Sequence, residues 1–451
     1  MHSPSSTPPG LAGSPRVAIV GSGISGLAAA HALSGLADVT LFEAGDYFGG
    51  HTHTVDVTLP TAQGFVTHGV DTGFLVFNER TYPNLIKLFA ELDVTTAKSD
   101  MSFSVKVPGA FKSGHPQAGQ TLEWSGSSFN SVFAQRRNLV RWKFLRMLGD
   151  IMRFNRITTA LASADAEIAM AQPLGDFLQA QKFSSEFRDW YFLPMMGCIW
   201  SCPTDQMLQF PVATMIRFCY NHGLIQVTNR PQWWTVAGGA RHYVEKIIAS
   251  IPDKRLNTPV RRVERDAGGV RIVTDDRTEQ FDKVVLAAHS DQSLALLQNP
   301  SPAEQKALGA IRYQPNRAVL HLDASVLPSK KLAWAAWNYE RAQQADRESA
   351  QVCLHYLLNM LQPLPFTQPV MVSLNPVRAI APHLILAEFD YAHPVFDLTA
   401  ISAQGELAQL QGQHNTYFCG AWTGYGFHED GLKSGLQAAR QLLRETAGAP
   451  A

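Results

Sequence analysis

An α/β fold with a discontinuous principal domain is predicted by three features of the sequence. Residues 16–43 read as strand, glycine-rich turn, helix and strand. Residues 416–443, near the other end, read as strand, glycine-rich turn and helix. Between them, 78–229 is mostly helical in pattern, and short strands resume near residue 257. A βαβ unit and a strand-turn-helix so far apart suit one sheet assembled from distant pieces, with the intervening chain forming a second layer over it.

Composition narrows the function. The chain has 451 residues, 45% of them hydrophobic, enough for two or three domains with large cores. Lys plus Arg equals Asp plus Glu at 38 each. Overall charge therefore carries no signal for nucleic acid, and none is expected as a partner. The five cysteines, at 198, 202, 219, 353 and 419, are too sparse and odd in number for a secreted disulfide framework. Cys198 and Cys202 share helical spacing, but no second Cys or His pair stands at zinc-ligand spacing, so no metal is expected. Residues 1–14 are rich in Ser, Pro and Gly and are expected to be a disordered tail, not a secretory leader. No stretch reaches the roughly 18 apolar residues of a membrane span. The expected location is the cytoplasm.

The first turn carries chemistry. Residues 17–20 form a short apolar run, as in a strand buried on both faces. Gly21, Gly23 and Gly26 follow as G-x-G-x-x-G. They suit a tight turn, close backbone approach to a pyrophosphate, and close helix–sheet packing. Ile24 and Ser25 open the helix whose amides and dipole would face that phosphate. Glu43 ends the second strand, 22 residues after Gly21. Its carboxylate can accept ribose hydroxyls and repels a 2′-phosphate. This is a Rossmann-like dinucleotide site, and by itself it does not separate FAD from NAD.

Further motifs make that separation. Glu43 is followed by Ala44 and then by Gly49-Gly50-His51. This resembles the second phosphate-side loop of the flavin amine oxidase and phytoene desaturase superfamily, with His51 in the usual place of arginine. Residues 69–74, ending in Gly73-Phe74, resemble the strand that reaches the flavin ring. The stretch 416–439, TYFCGAWTGYGFHEDGLKSGLQAA, resembles the closing flavin motif. On that match Gly420, Ala421 and Trp422 lie near the ribityl and phosphates. Gly431 and Leu432 offer backbone amides to the ring, where negative charge develops on reduction. Residues 257–264 resemble the strand beside the adenine, with Val260 as its contact, and 283–289 the strand that closes this half.

HTHTV at 51–55, DTGFLVFNERTYPNL at 71–85, PNRAVLHLD at 315–323, AWAAWNY at 333–339, LHYLLNMLQPLP at 354–365, VSLNP at 372–376 and GAWTGYGFHEDGLKSG at 420–435 carry a closer resemblance. They are similar to a bacterial subgroup of FAD-dependent oxidoreductases, the predicted NAD/FAD-binding proteins, within that superfamily. The resemblance implies non-covalent FAD on a discontinuous Rossmann-like domain of glutathione reductase type (15–77, 230–300 and 410–446). It also implies an α+β substrate domain with a helical insert (78–229 and 301–409). A similar domain is fused to cyclopropane fatty acid synthase-type enzymes in plants, which points to acyl lipids.

The expected reaction is hydride transfer from an organic substrate to flavin N5, with an acyl-lipid dehydrogenase or desaturase preferred. One alternative is an amine oxidase giving imine and hydrogen peroxide. The other is a non-catalytic flavoprotein partner of a lipid methyltransferase. Relatives that oxidise amines carry a lysine near N5, where this chain has Asn316 and Arg317, and an aromatic cage, where it has His428 beside Trp422 and Tyr425. His428, with an ordinary pKa near neutrality, is the expected proton-handling residue. Asn78, with Arg80, is expected to line the pocket. Trp334, Trp337, Tyr339 and Tyr356 are expected as an apolar wall. His51 and His53 lack a third ligand at suitable spacing. Residues 143–156 form a helix with one apolar half (Phe144, Leu145, Met147, Leu148, Ile151, Met152, Phe154) and one basic half (Lys143, Arg146, Arg153, Arg156). That pattern suits peripheral contact with the inner membrane.

Overall fold

The computed structural model describes residues 13–111, 119–163, 172–201, 203–225, 231–266, 268–342 and 351–446. Cys202, Ala267 and residues 1–12 of the expected tail lie outside them.

A five-stranded parallel sheet forms the centre. Its order is Asp253–Arg255, Asp38–Phe42, Arg16–Val20, Lys283–Leu286, Thr416–Phe418. Its strands therefore come from four separate parts of the chain, as the discontinuous α/β fold requires. Val17, Ala18, Ile19 and residues 284–286 are fully buried, so these apolar runs face side chains on both sides of the sheet. The helices Ile24–Leu33 and His428–Thr446 cross tightly on one face. A Cβ on Gly435 would come within 2.0 Å of the Ser25 carbonyl, so only glycine permits that approach.

A seven-stranded sheet makes the second layer. Its order is Ile385–Val395, Arg312–His321, Met371–Leu374, Cys353–Leu357, Trp337–Glu340, Phe103–Val107, Leu122–Ser125. Only the Trp337–Glu340 and Phe103–Val107 pair is parallel. A small sheet of Phe77–Asn78, Trp233–Val236 and Thr96–Ser99 lies beside the cavity described below. An antiparallel meander forms from Arg262–Asp266, Gly269–Val273 and Thr278–Phe281.

The helical stretch differs in detail from the sequence reading. Residues 136–163 do not form one continuous helix. A 3₁₀ turn, Arg136–Val140, is followed by extended Arg141 and then the helix Trp142–Ser163. Of the helix's apolar half, Phe144, Met147 and Phe154 are fully buried, whereas Leu145 and Met152 stand exposed. No helix among the described residues is long and apolar enough to cross a membrane.

Candidate cofactor and substrate site

One cavity of about 740 Å³ runs from the parallel sheet to the second layer. Its outer end is built mainly from main chain. Gly21, Gly23, Ile24, Ser25, Glu43, Ala44, Gly49, Gly50, His51, Val260, Gly420, Ala421 and Trp422 all line it. Gly73, Phe74 and His428 line it further in.

Each outer element has a local cause. Gly21 leaves its strand at φ +102°, which side chains rarely adopt. A Cβ on Gly26 would sit 1.9 Å from the Gly21 carbonyl, so glycine closes the helix onto the turn, while Gly23 has open space at its Cα. The Glu43 carboxylate accepts the Ser22 N–H at 2.9 Å, the Ser22 hydroxyl at 2.5 Å and the Gly45 N–H at 2.8 Å. A carboxylate has about four acceptor sites, so capacity remains for a hydroxyl. Gly49 pairs with Gly23 in a parallel bridge that brings the second loop against the first turn. The residues beside Val260 are fixed: Thr258 N–H donates to Glu43 O and Arg261 N–H to Val273 O, both within 2.9 Å.

These residues fit FAD. The open Cα of Gly23 stands at a helix N-terminus, where an anion is favoured. His51 Nε2 is buried with no hydrogen-bond partner while its ring lines the cavity, an orphan polar atom such as a ligand satisfies. Burial pushes the His51 imidazole down to about 3, so this ring is neutral.

The inner end is built from side chains. Val76, Met101, Phe218, Trp233, Trp337 and Tyr356 contribute to its wall. Trp337 and Tyr356 meet edge to face at 5.0 Å. His428 stacks on Phe74 at 3.8 Å and its Nε2 lies 2.7 Å from the Tyr243 hydroxyl, which in turn lies 2.5 Å from Thr52 Oγ1. Among the described residues, Glu43 and Arg261 are the charged ones that line the cavity, and both belong to the outer end.

Several expected residues sit elsewhere. Gly431 and Leu432 do not line the cavity. The C-terminal helix begins at His428, three residues earlier than its motif suggested, so the Gly431 N–H already donates to Phe427 O. A Cβ on Gly431 would meet Ile24 Cγ2 at 2.7 Å, which makes it a packing residue. Asn78 is fully buried away from the cavity. Its Oδ1 accepts the N–H groups of Arg80 and Thr81, both at 3.0 Å, and so holds the turn. His428 lines the cavity, but burial pushes it down to about 3, and it does not titrate near neutrality. Trp334 and Tyr339 are off the wall that Trp337 and Tyr356 form. His53 stacks on Tyr47 at 4.2 Å and contacts Thr72 and Tyr391.

Other residues emerge only in three dimensions. His393 lines the cavity and its Nδ1 accepts from Asn316 Nδ2 at 2.9 Å, so its proton lies on Nε2. Asn316 thus reaches the cavity through a histidine. His222 lines the inner end. Its Nδ1 donates to Phe218 O at 2.9 Å, which leaves Nε2 as a neutral acceptor, and burial holds the ring at about 4. His289 stacks on Tyr313 at 4.3 Å on the same cavity. Away from it, Glu340, Cys353 and His355 form the one tight cluster of metal-ligating types among the described residues. Lys106 Nζ at 3.1 Å and Arg378 Nη2 at 3.5 Å already neutralise Glu340, and His355 donates to it at 3.2 Å. This is a satisfied ion-pair network. No signal short of the fold marks these pairings.

Comparison with known proteins agrees with the geometry. The profile of the flavin containing amine oxidoreductase family matches residues 24–330, more than half of the chain. A protein of Mycobacterium tuberculosis provisionally named flavin-containing monoamine oxidase AofH is 25% identical over 307 residues, covering 65% of this chain and 61% of its own. The chain thus spans about three-fifths of the length of that relative. Cyclohexylamine oxidase from Brevibacterium oxydans superposes with TM-score 0.65 at 16% identity, covering 96% of this chain and all of that one. A conjugated linoleic acid (CLA)-producing fatty acid isomerase from P. acnes superposes with TM-score 0.62 at 16% identity, covering 96% and 99%. At such identity these structures show the shared fold alone. By its profile match this chain belongs to the flavin-containing amine oxidoreductase family, and with it to the FAD-dependent oxidoreductases.

Proposed function

We propose that this protein oxidises an apolar substrate, an unsaturated or methylated acyl chain carried on a lipid. One observation carries the reading: the inner half of the cavity is apolar and aromatic, with both charged lining residues at the outer end. An alkyl chain gains about 25 cal/mol for each Å² it buries there. An ammonium group would be desolvated there with no carboxylate among the described residues that line the inner end, at a cost of several kcal/mol. The fold itself serves both kinds of chemistry, since one structural neighbour isomerises a fatty acid and another oxidises cyclohexylamine.

FAD, when bound, supplies the two-electron acceptor. The chain supplies the rest. Phe74 and stacked His428 form one rigid wall, and the hydroxyls of Tyr243 and Thr52 hold the imidazole in place. Phe218, Trp233, Trp337 and Tyr356 exclude water and align the substrate. His222 Nε2 is positioned as a neutral acceptor for a proton released at the inner end. His393 Nε2–H is a neutral donor, and His51 a neutral ring, nearer the outer end.

The test is anaerobic bleaching of the yellow holoprotein. Bleaching by phospholipid vesicles with unsaturated or methylated chains, and none by primary amines, is the expected result. Bleaching by amines with peroxide release in air would replace this reading with amine oxidation, which the name of the mycobacterial relative favours. No bleaching with either would make the chain a flavin-binding partner of another enzyme.

A further inference from the structure

Apolar side chains on a soluble surface normally stand singly. Here they do not. Of the twelve large apolar side chains exposed among the described residues, six lie within 129–152: Phe129, Leu139, Val140, Trp142, Leu145 and Met152. Val140 is 84% exposed, and Phe129 and Trp142 are each 74% exposed. They occupy a short helix (Phe129–Val132), the 3₁₀ turn Arg136–Val140 and the outward stripe of Trp142–Ser163. At about 100° per residue, Trp142, Leu145, Arg146, Met152 and Arg156 fall within about 120° of one another.

The same segment concentrates charge. Residues 129–156 hold seven bases (Arg136, Arg137, Arg141, Lys143, Arg146, Arg153, Arg156) and one acid, Asp150, a net +6 in a chain whose net charge is zero. Among the described residues one acid outside the segment offsets part of it, Glu186, which pairs with Lys143 at 3.6 Å, while Arg153 pairs at 3.0 Å with Asp150, the acid already counted. Arg136, Arg137 and Arg141 bond neutral oxygens of Asn130, Gln120 and Asn138. Exposed apolar tips framed by arginines match the chemistry of an anionic bilayer, with headgroup charge outside and acyl chains beneath. The stripe on the helix also stands one helix away from the cavity. Trp142–Ser163 packs on Val212–Asn221, whose Phe218 lines the inner end.

We propose that residues 129–156 dock the protein on an anionic lipid surface, with Val140, Trp142 and Phe129 as the inserted tips. This corrects the sequence expectation in one respect. The apolar half of the helix is spent on the core through Phe144, Met147 and Phe154, so insertion falls to the first residue of the helix and the segment before it. The docking surface stands whether the substrate is a lipid or an amine.

Flotation of the FAD-loaded full chain with phosphatidylglycerol-containing vesicles and with pure phosphatidylcholine vesicles tests it. Binding to the anionic vesicles alone, weakened at least tenfold by raised salt, is expected. The double variants V140D/W142D and R137E/R146E should each lose about tenfold or more in partition, with retained yellow colour reporting intact folding. Phe65, 78% exposed on a distant hairpin, is the control: F65D should bind as the parent does. Equal binding by the patch variants, or no binding to anionic vesicles, overturns the proposal. So does a dimer in solution that V140D/W142D converts to monomer, because a second copy would then be the occupant. Flavin bleaching is read separately, so a failed substrate reading leaves this result interpretable.

Discussion

The two ends of the cavity are made in opposite ways. At the outer end, turns with no side chain bring main-chain amides together, and a single carboxylate, Glu43, ties two loops by three hydrogen bonds. At the inner end, Met101, Phe218, Trp233, Trp337 and Tyr356 come from separate strands and helices and meet only after folding. A family can conserve the first kind of site by holding a few glycines. The second kind changes with any one of many side chains. Cofactor and substrate specificity therefore sit on different physical footings within one cavity.

The outer end should fail all at once. Gly26→Ala places a methyl group 1.9 Å from a carbonyl that belongs to the turn itself. Strand and helix must separate, at a cost of about 3 kcal/mol or more. Colourless or insoluble protein is the expected outcome, scored by the ratio of flavin to protein absorbance. Yellow protein with unchanged melting would show that the turn is more plastic than its geometry implies.

Acid should weaken both ends together, because each holds neutral imidazoles. Burial pushes His51 and His428 down to about 3 and His222 and His393 to about 4, against an ordinary 6.5. Below 6.5 the unfolded chain takes up protons that these rings refuse, so stability present above 6.5 is lost as pH falls toward 4. Each ring contributes about 1.4 kcal/mol per pH unit. Asp71 and Asp430 oppose them. Burial raises these carboxyls to about 7 and about 6, so in the same window the folded state holds their protons. His321, pushed to about 4, and His53 and His289, also lowered by burial, add to the rings, and Glu429, raised by burial, adds to the carboxyls. Rings outnumber carboxyls, so unfolding takes up protons on balance between about pH 6 and 4. Denaturant midpoints across that window should fall with falling pH, and His428→Gln should flatten the slope by about one proton. An unchanged slope would mean that His428 is charged in the fold.

The inner end should respond gradually. Trp337→Ala opens the wall beside Tyr356 without touching the glycine turns. The holoprotein should stay yellow while KM for an acyl substrate shifts about tenfold, in line with one lost aromatic contact. Loss of flavin in this variant would erase the distinction between the two ends.

The same contrast governs what could be read beforehand. Gly21, Gly26, Glu43 and Gly420 were legible because a turn that needs glycine, or an acid at a strand end, leaves a local mark in the sequence. His222, His289 and His393 were not. Each is an ordinary histidine in its own segment and gains meaning only from Phe218, Tyr313 or Asn316 across the fold. The error at Gly431 has a similar origin. A glycine near a helix start can offer its amide to a flavin ring or let a neighbouring helix close in, and only the start of the helix at His428 and the contacts with Ile24 and Ser25 show that Gly431 and Gly435 serve the crossing.

Asn78 gives the smallest and most selective test of this distinction. The sequence placed it in the pocket because it follows the strand that reaches the flavin ring. In the fold its Oδ1 accepts from Arg80 N–H, Thr81 N–H and the Thr81 hydroxyl, and its Nδ2 is buried without a partner. Asn78→Ala should cost about 1 kcal/mol through the freed amides, visible as a lower melting temperature. The bleaching rate per bound flavin should stay unchanged. A rate that falls tenfold or more with melting intact would move Asn78 from the scaffold to the chemistry and extend the reacting surface beyond the cavity wall.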